Sequence, residues 1–449
     1  MEAEPCPRAE HPNPLFERRE WRSLNGAWDF CIRPAKDGKN PVKAPESWEG
    51  EILVPFCLQS PLSGALAKLS VKRKRLLGLA GPPCAPGLGK RYELWYRRCL
   101  RLPSNWRTGA DVAASRQRVI LHIGACDYTC LVIVNGVTVG KPHIGGSTAF
   151  ECDITEALRN TSEDTVLIKC ADHEEMSSGA MEPRGKQLVS KAYAGKGPHV
   201  PTLYSNVTGL WQSVWVELVA PRRLRRVHCA PRCLNSPEQE MDNWELEICP
   251  ELPEGCPALG LEIEIILFLD SQRKVPLARA SAKLPLSSFR LQIPKGWVRL
   301  WGPSSPYLYG LKFRLFDGGT LVDEVMSYTA LRVVSIRGDE ILLNRRPLFL
   351  RLVLDQGYYP DGLWTAPAKE ALKKDIQLAM SFGFNGARLH QKAFEPWYYR
   401  YADELGFVVF SEYPDWNGGF SARWEVSKSY AKTVAQEWEC LVADRQNHP

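Results

Sequence analysis

Near Ile336 the apolar residues change period, and that change limits the chain to a fold in which β-only domains precede a β/α segment. Leu348 to Leu354 is a nearly continuous apolar run, as expected for a strand buried on both faces of a parallel sheet, and it leads into Asp355-Gln356-Gly357. Thr365 is placed to cap a helix over 366–382. Ala371, Leu372, Ile376, Ala379 and Met380 share one face of that helix, and Gly383 stops it. A strand over 385–390, a helix over 396–405, a strand over 407–410 and a long helix over 421–443 follow. Three β/α units in series point to a (β/α)8 barrel of the TIM type, whose sites lie where strands end at their C-terminal side. The segment 336–449 is under half of the roughly 250 residues that a whole barrel takes. The barrel is therefore expected to be incomplete, with the inward face of Leu350, Leu352 and Leu354 lacking opposing layers and exposing apolar surface or an unpaired edge.

Upstream, the pattern is short strands divided by turn residues. Leu24 to Phe30, the stretch 117–124, and a hairpin across Asn135-Gly136 belong to one β-sandwich over 21–220, closed by a single alternating strand through 209–218. Gly, Pro, Lys and Arg crowd the stretch 70–90, which reads as a surface loop inserted between strands. Residues 1–20, rich in Pro, are set apart as an N-terminal extension. The basic run Arg222 to Arg226 marks a linker. Beyond it, Trp244 to Ile248, Leu261 to Ile266 and Leu311 to Phe316 alternate in strand fashion, so 221–335 is expected to be a smaller, immunoglobulin-like sandwich.

Composition is ordinary for a globular chain of 449 residues, at 44% hydrophobic and 24% charged. The first residues lack the apolar core of a signal peptide, so the expected compartment is the cytoplasm, where the fourteen cysteines stay reduced. Cys126 and Cys130 are expected on one face as small core residues. Cys229, Cys233, Cys249 and Cys256 with His228 offer zinc-type ligands, but at irregular spacing, and no metal or cofactor is expected. The net charge of +6 is modest and its clusters at 72–75 and 222–226 hold no aromatics, which argues against nucleic-acid binding. No apolar run has the length of a membrane span.

Leu24-Asn25-Gly26-Ala27-Trp28, Val134-Asn135-Gly136 with Gly145-Gly146 and Phe150, and Gly209-Leu210-Trp211-Gln212-Ser213-Val214-Trp215 resemble motifs of the family 2 glycoside hydrolases. So do the run Asp355 to Gly362 and the run Gly383 to His390. In this order the motifs cover nearly the whole chain. The resemblance implies a jelly-roll sugar-binding-type domain, an immunoglobulin-like domain and a catalytic barrel, hence retaining hydrolysis of β-linked glycosides. That mechanism needs two carboxyl groups about 5 to 5.5 Å apart, one as acid/base and one as nucleophile. In the family both are glutamates on later strands, the first just beyond an Asn-His-Pro motif similar to Asn447-His448-Pro449. By this resemblance the chain holds no catalytic residue.

The substrate-binding candidates are Asp355, Arg388, His390, Glu412 and Trp416. Arg388 and His390 match family positions. A guanidinium there can hold a carboxylate ionised, and an imidazole can hydrogen-bond a sugar hydroxyl; the plainer readings are an interior salt bridge and a satisfied core histidine. Asp355 either accepts from sugar hydroxyls or caps its own loop through Gly357. Glu412, on the third strand, is assigned to hydrogen bonding with sugar or with Arg388 rather than to catalysis. Trp416 either stacks on a pyranose face or packs its loop back onto the barrel. One departure from the family is Arg345, in Asn344-Arg345-Arg346-Pro347, where the family has Gly; a type I′ turn there needs positive φ.

The favoured reading is the N-terminal part of a glycosidase, inactive alone. A non-catalytic carbohydrate-binding or scaffold protein and one half of a split glycosidase are the alternatives. The expected partners are a β-linked glycoside or oligosaccharide and, on the protein side, a homo-oligomer mate or a complementing C-terminal chain; neither nucleic acid nor membrane is expected.

Overall fold

The structure is a computed structural model that describes residues 6–34, 43–77, 92–103, 106, 117–159, 163–172, 182–187, 204–415 and 428–449. Two antiparallel β-sandwiches come first, and three β/α units follow.

In the first sandwich a six-stranded sheet runs in the order Gly50–Val54, Gly26–Pro34, Tyr92–Leu100, Asp164–Asp172, Thr129–Val134, Val137–Ile144. It faces a four-stranded sheet of Trp21–Ser23, Val214–Val219, Arg118–Ile123 and Phe150–Asp153. Alternation drives this layering: Phe30 and Ile32, Leu94 and Tyr96, and Leu121 and Ile123 all enter one core. The hairpin at Asn135-Gly136 forms as expected. The single closing strand does not. Gly209–Leu210 pairs with Cys126–Asp127, while Val214–Val219 belongs to the four-stranded sheet, and Trp211 lies between them. Within the expected surface loop, Val71–Leu77 is a helix, and Arg73 on it donates to the Ile32 carbonyl at 2.5 Å.

The second sandwich packs Arg226–Cys233, Trp244–Glu251 and Phe289–Ile293 against Pro276–Lys283, Leu261–Phe268, Tyr309–Asp317 and Thr320–Thr329. Trp244, Ile263, Ile265, Phe313 and Leu315 fill its interior. The turn that departs from the family does take the strained form, with φ of 52° at Asn344 and 63° at Arg345. The Arg345 side chain offsets the strain by donating to the carbonyls of Asn235 at 2.7 Å and Gln239 at 2.8 Å, which pins the turn to the sandwich.

Leu352–Asp355, Gly386–Leu389 and Val408–Ser411 form a parallel sheet in chain order, with the helices Lys369–Ser381, Pro396–Leu405 and Lys428–Arg445. Val353, Ala387 and Val409 pack toward the first two helices. On the opposite face the register aligns Leu354, Arg388 and Phe410, and Leu354 is 52% exposed and Phe410 43%. The first strand is shorter than its apolar run suggests, since only Leu352 to Asp355 have a paired neighbour. Thr365 does not cap the helix. Ala368 stands at the N-cap with no side-chain bond, and the Thr365 hydroxyl instead donates to the Trp211 carbonyl at 2.5 Å. Among the described residues no helix is long and apolar enough to cross a membrane.

Residues 6–20 run between these bodies rather than away from them. Buried Arg18 meets Glu217 of the first sandwich and Asp323 of the second, and Arg8 pairs with Glu395 of the β/α segment. Glu437, on the third helix, accepts from the Tyr128 hydroxyl of the first sandwich at 2.6 Å. Burial outweighs that bond and pushes the Glu437 carboxyl up to about 7. An acid whose pKa is raised by folding favours the folded state below its unfolded value and loses that advantage as pH rises through the folded one. Glu437→Gln is therefore expected to stabilise the protein at pH 8 by about 1–3 kcal/mol and to make no difference near pH 4. Thermal melts at the two pH values check this; equal shifts at both would contradict it.

Candidate functional site

Asp355, Arg388, His390 and Glu412 come together where the three parallel strands end. The backbone N–H of His390 donates to the Asp355 carbonyl at 2.8 Å, which aligns the first two strand ends. Arg388 pairs with Glu412 through its Nε, and Glu412 also accepts from the backbone of Gln391 at 3.2 Å. His390 faces Gln356 Oε1 at 3.1 Å through Nδ1 and Glu412 at 4.0 Å through Nε2. Burial holds the His390 imidazole below its ordinary pKa despite the Glu412 charge, so near pH 7 it is neutral and can both donate and accept.

The loop-capping role of Asp355 is realised. Its Oδ1 accepts from the Gly357 backbone at 2.8 Å and its Oδ2 from the Tyr398 hydroxyl at 3.2 Å. Arg388 is in the ion pair anticipated for it, but on the open face, with its side chain 56% exposed. Trp416 lies outside the described residues.

Lys392 is a contributor that the sequence did not single out. Fully buried, it donates to the carbonyls of Gly357 at 2.5 Å and Trp364 at 2.6 Å, which fixes the loop after Asp355. Burial, against the pull of Glu395 and Asp355, pushes its ammonium down to about 8. The first sandwich supplies a second unforeseen part, residues 182–187. Gly185 donates to the Pro414 carbonyl at 3.1 Å with φ of 55°, and a Cβ there would lie 2.1 Å from the Gln391 carbonyl. Only glycine allows that approach. Lys186 follows and acts electrostatically on His390, and Tyr204 stacks on Tyr358 with centroids 4.1 Å apart. Glu182 to Gln187 show no periodicity, so nothing local in the sequence marked them.

A cleft of about 610 Å³ opens elsewhere, lined by Arg18, Trp215, Glu217, Trp397 and His448 among others, and none of the four strand-end candidates lines it. The irregular cysteines around 229–256 do not assemble a metal site: among the described residues the one cluster of three or more such ligands is Cys126, Cys130 and Cys170.

No family model matches the chain. A β-galactosidase of Thermoanaerobacter pseudethanolicus is 23% identical over 364 residues, 80% of this chain and 44% of that protein. A β-glucuronidase of Canis lupus familiaris is 26% identical over 339 residues, 72% of this chain and 48% of that one. Among solved structures, a β-glucuronidase from Ruminococcus gnavus in complex with D-glucuronic acid superposes with a TM-score of 0.72 at 20% identity, covering 98% of this chain and 68% of the other. The chain is thus similar to β-galactosidases and β-glucuronidases, in keeping with the resemblance to the family 2 glycoside hydrolases read from its sequence. It spans less than half the length of the two curated relatives named. Arg388 and His390, which the sequence resemblance singles out, stand side by side at the end of the second strand, with Glu412 of the third strand joining them.

Proposed function

We propose that this chain is the substrate-holding portion of a retaining family 2 β-glycosidase: a jelly-roll domain over 21–220, an immunoglobulin-like domain over 221–335, and the first three units of a (β/α)8 barrel over 336–449. The observation that carries the reading is the grouping of Asp355, Arg388, His390 and Glu412 at the C-terminal ends of consecutive parallel strands, where barrel enzymes keep their sites. Neutral His390 and the exposed Arg388 fork suit hydroxyl and carboxylate groups of a sugar. The names of the relatives favour a β-glucuronide as the glycoside.

Asp355 and Glu412 act as positioning groups in this reading. Each is already held by protein donors, Asp355 by Gly357 and Tyr398 and Glu412 by Arg388 and Gln391, whereas an acid/base or nucleophile must face the glycosidic bond. Calorimetric titration with D-glucuronate is expected to give binding that Arg388→Ala weakens by about 10- to 100-fold, the loss of one charge-assisted pair. Unchanged affinity in that variant would remove Arg388 from the site. With an aryl β-glucuronide the 449-residue chain is expected to show no turnover above background. Turnover abolished by Glu412→Gln would make Glu412 catalytic and overturn the assignment.

A further inference from the structure

Three cysteine side chains from three strands meet in the core of the first sandwich, apart from the strand ends that carry Asp355 and His390. Cys126 lies on the two-residue strand Cys126–Asp127, Cys130 on Thr129–Val134 and Cys170 on Asp164–Asp172. Cys130 and Cys170 are direct partners in the antiparallel ladder. All three are buried, their sulfurs lie within 4.8 Å of one another, and Cys126 Sγ is 2.9 Å from Cys170 Sγ.

A soft metal ion suits this space poorly. Metal–sulfur bonds of about 2.3 Å in a trigonal ring set the sulfurs roughly 4.0 Å apart, wider than the Cys126–Cys170 approach. A sulfur–sulfur bond of about 2.05 Å is neutral and needs only a short further approach.

We propose that Cys126 and Cys170 form a disulfide when the protein meets a low-molecular-weight disulfide oxidant, with Cys130 as the thiol that relays the exchange. The Cys130 thiolate attacks one sulfur of the oxidant, giving a mixed disulfide and releasing one reduced thiol. Cys170, losing its proton, attacks the Cys130 sulfur and expels the second reduced thiol. Cys126 then attacks the Cys170 sulfur, forms Cys126–Cys170 and returns Cys130 as thiolate. Two cysteine thiols are oxidised, one oxidant disulfide is reduced to two thiols, and the two protons pass to those thiols or to solvent. The order follows from acidity. Burial opposes ionisation of Cys130, but hydrogen bonds from Cys126 and Cys170 outweigh it and push that thiol down to about 5, whereas burial holds the other two well above the ordinary range. The most acidic thiol is the best leaving group, so exchange ends with Cys130 free. Reagent reaches the cluster through opening of the short pairing between Cys126–Asp127 and Gly209–Leu210.

The test is peptide mapping of the folded full chain after prolonged incubation with oxidised glutathione and alkylation of free thiols in denaturant. Chymotryptic cleavage after Tyr128 separates Cys126 from Cys130. Exposed Cys6, Cys99 and Cys440 take up glutathione and show that the reagent acted. The expected product is a Cys126–Cys170 cross-linked peptide pair lighter by two hydrogens, with Cys130 alkylated. Cys126 and Cys170 both alkylated while Cys99 is modified, or a final Cys130–Cys170 link, would overturn the proposal. Cys130→Ser is expected to slow the cross-link by about tenfold or more without preventing it. An unchanged rate in that variant would refute the relay.

Discussion

Replacing Arg18 by Met is expected to destabilise the protein by about 3–5 kcal/mol near pH 7, the range for breaking a buried ion-pair network from one side. Arg18 donates through Nε and NH2 to both oxygens of Asp323 at 2.9 Å, through NH1 to Glu217 at 2.8 Å, and through NH2 to the Leu224 carbonyl at 2.5 Å. Both carboxylates are buried, so the variant leaves two charges without their shared counter-ion between the sandwiches. The pH dependence carries a sign. Burial disfavours the Glu217 charge, yet His122 and Arg18 hold its pKa well below the usual range. Such a group contributes stability above its unfolded pKa and loses it as pH falls through the folded one. Without Arg18 the folded pKa of Glu217 rises, so as pH falls the carboxyl takes up a proton instead of staying a buried charge that has lost its guanidinium. The deficit is thus expected to be largest at pH 7 and to shrink toward pH 4. Urea denaturation at both values reads it, and a loss under about 1 kcal/mol, or one independent of pH, would show that the network is not the tie described here.

The parts of the fold legible in the sequence are those fixed by local chemistry. Asn135-Gly136 specifies its hairpin through the left-handed backbone that both residues accept, and the helix Lys369–Ser381 is marked by apolar spacing with Gly383 as the stop. What escaped depends on contacts far along the chain. Thr365 has the right chemistry for a cap, but the Trp211 and Pro55 carbonyls claim its hydroxyl. Arg345 looks unfit for a left-handed position until its guanidinium is seen on the Asn235 and Gln239 carbonyls. At the candidate site, Asp355 and Glu412 were legible because strand ends are marked by where apolar runs stop, and Arg388 and His390 because they also resemble family positions. Lys392 was not, since a lysine in a helix-flanking stretch ordinarily points to water, and only the folded chain shows it between two carbonyls.

Trp211→Ala is expected to have the other large effect, a loss of about 3–5 kcal/mol together with weaker sugar binding in protein that is still folded. Trp211 is fully buried at the junction of the first sandwich and the β/α segment, packed edge-on against Trp364 with centroids 5.0 Å apart. Its indole N–H donates to the Gly146 carbonyl at 2.7 Å, and truncation leaves that acceptor unpaired beside a cavity. Lys392 Nζ stands 5.7 Å from the Trp211 ring centroid while holding the Gly357 carbonyl, so the cavity loosens the support of the loop that follows Asp355. Because a misplacement of about 1 Å suffices to spoil a positioned site, D-glucuronate affinity is expected to fall by about tenfold, measured below the variant's own melting range. Trp211→Phe, which keeps an aromatic ring but not the N–H, should lie between the two on both readings. Full affinity in a destabilised Trp211→Ala protein would mean that the sandwich supports the fold without positioning the strand-end site.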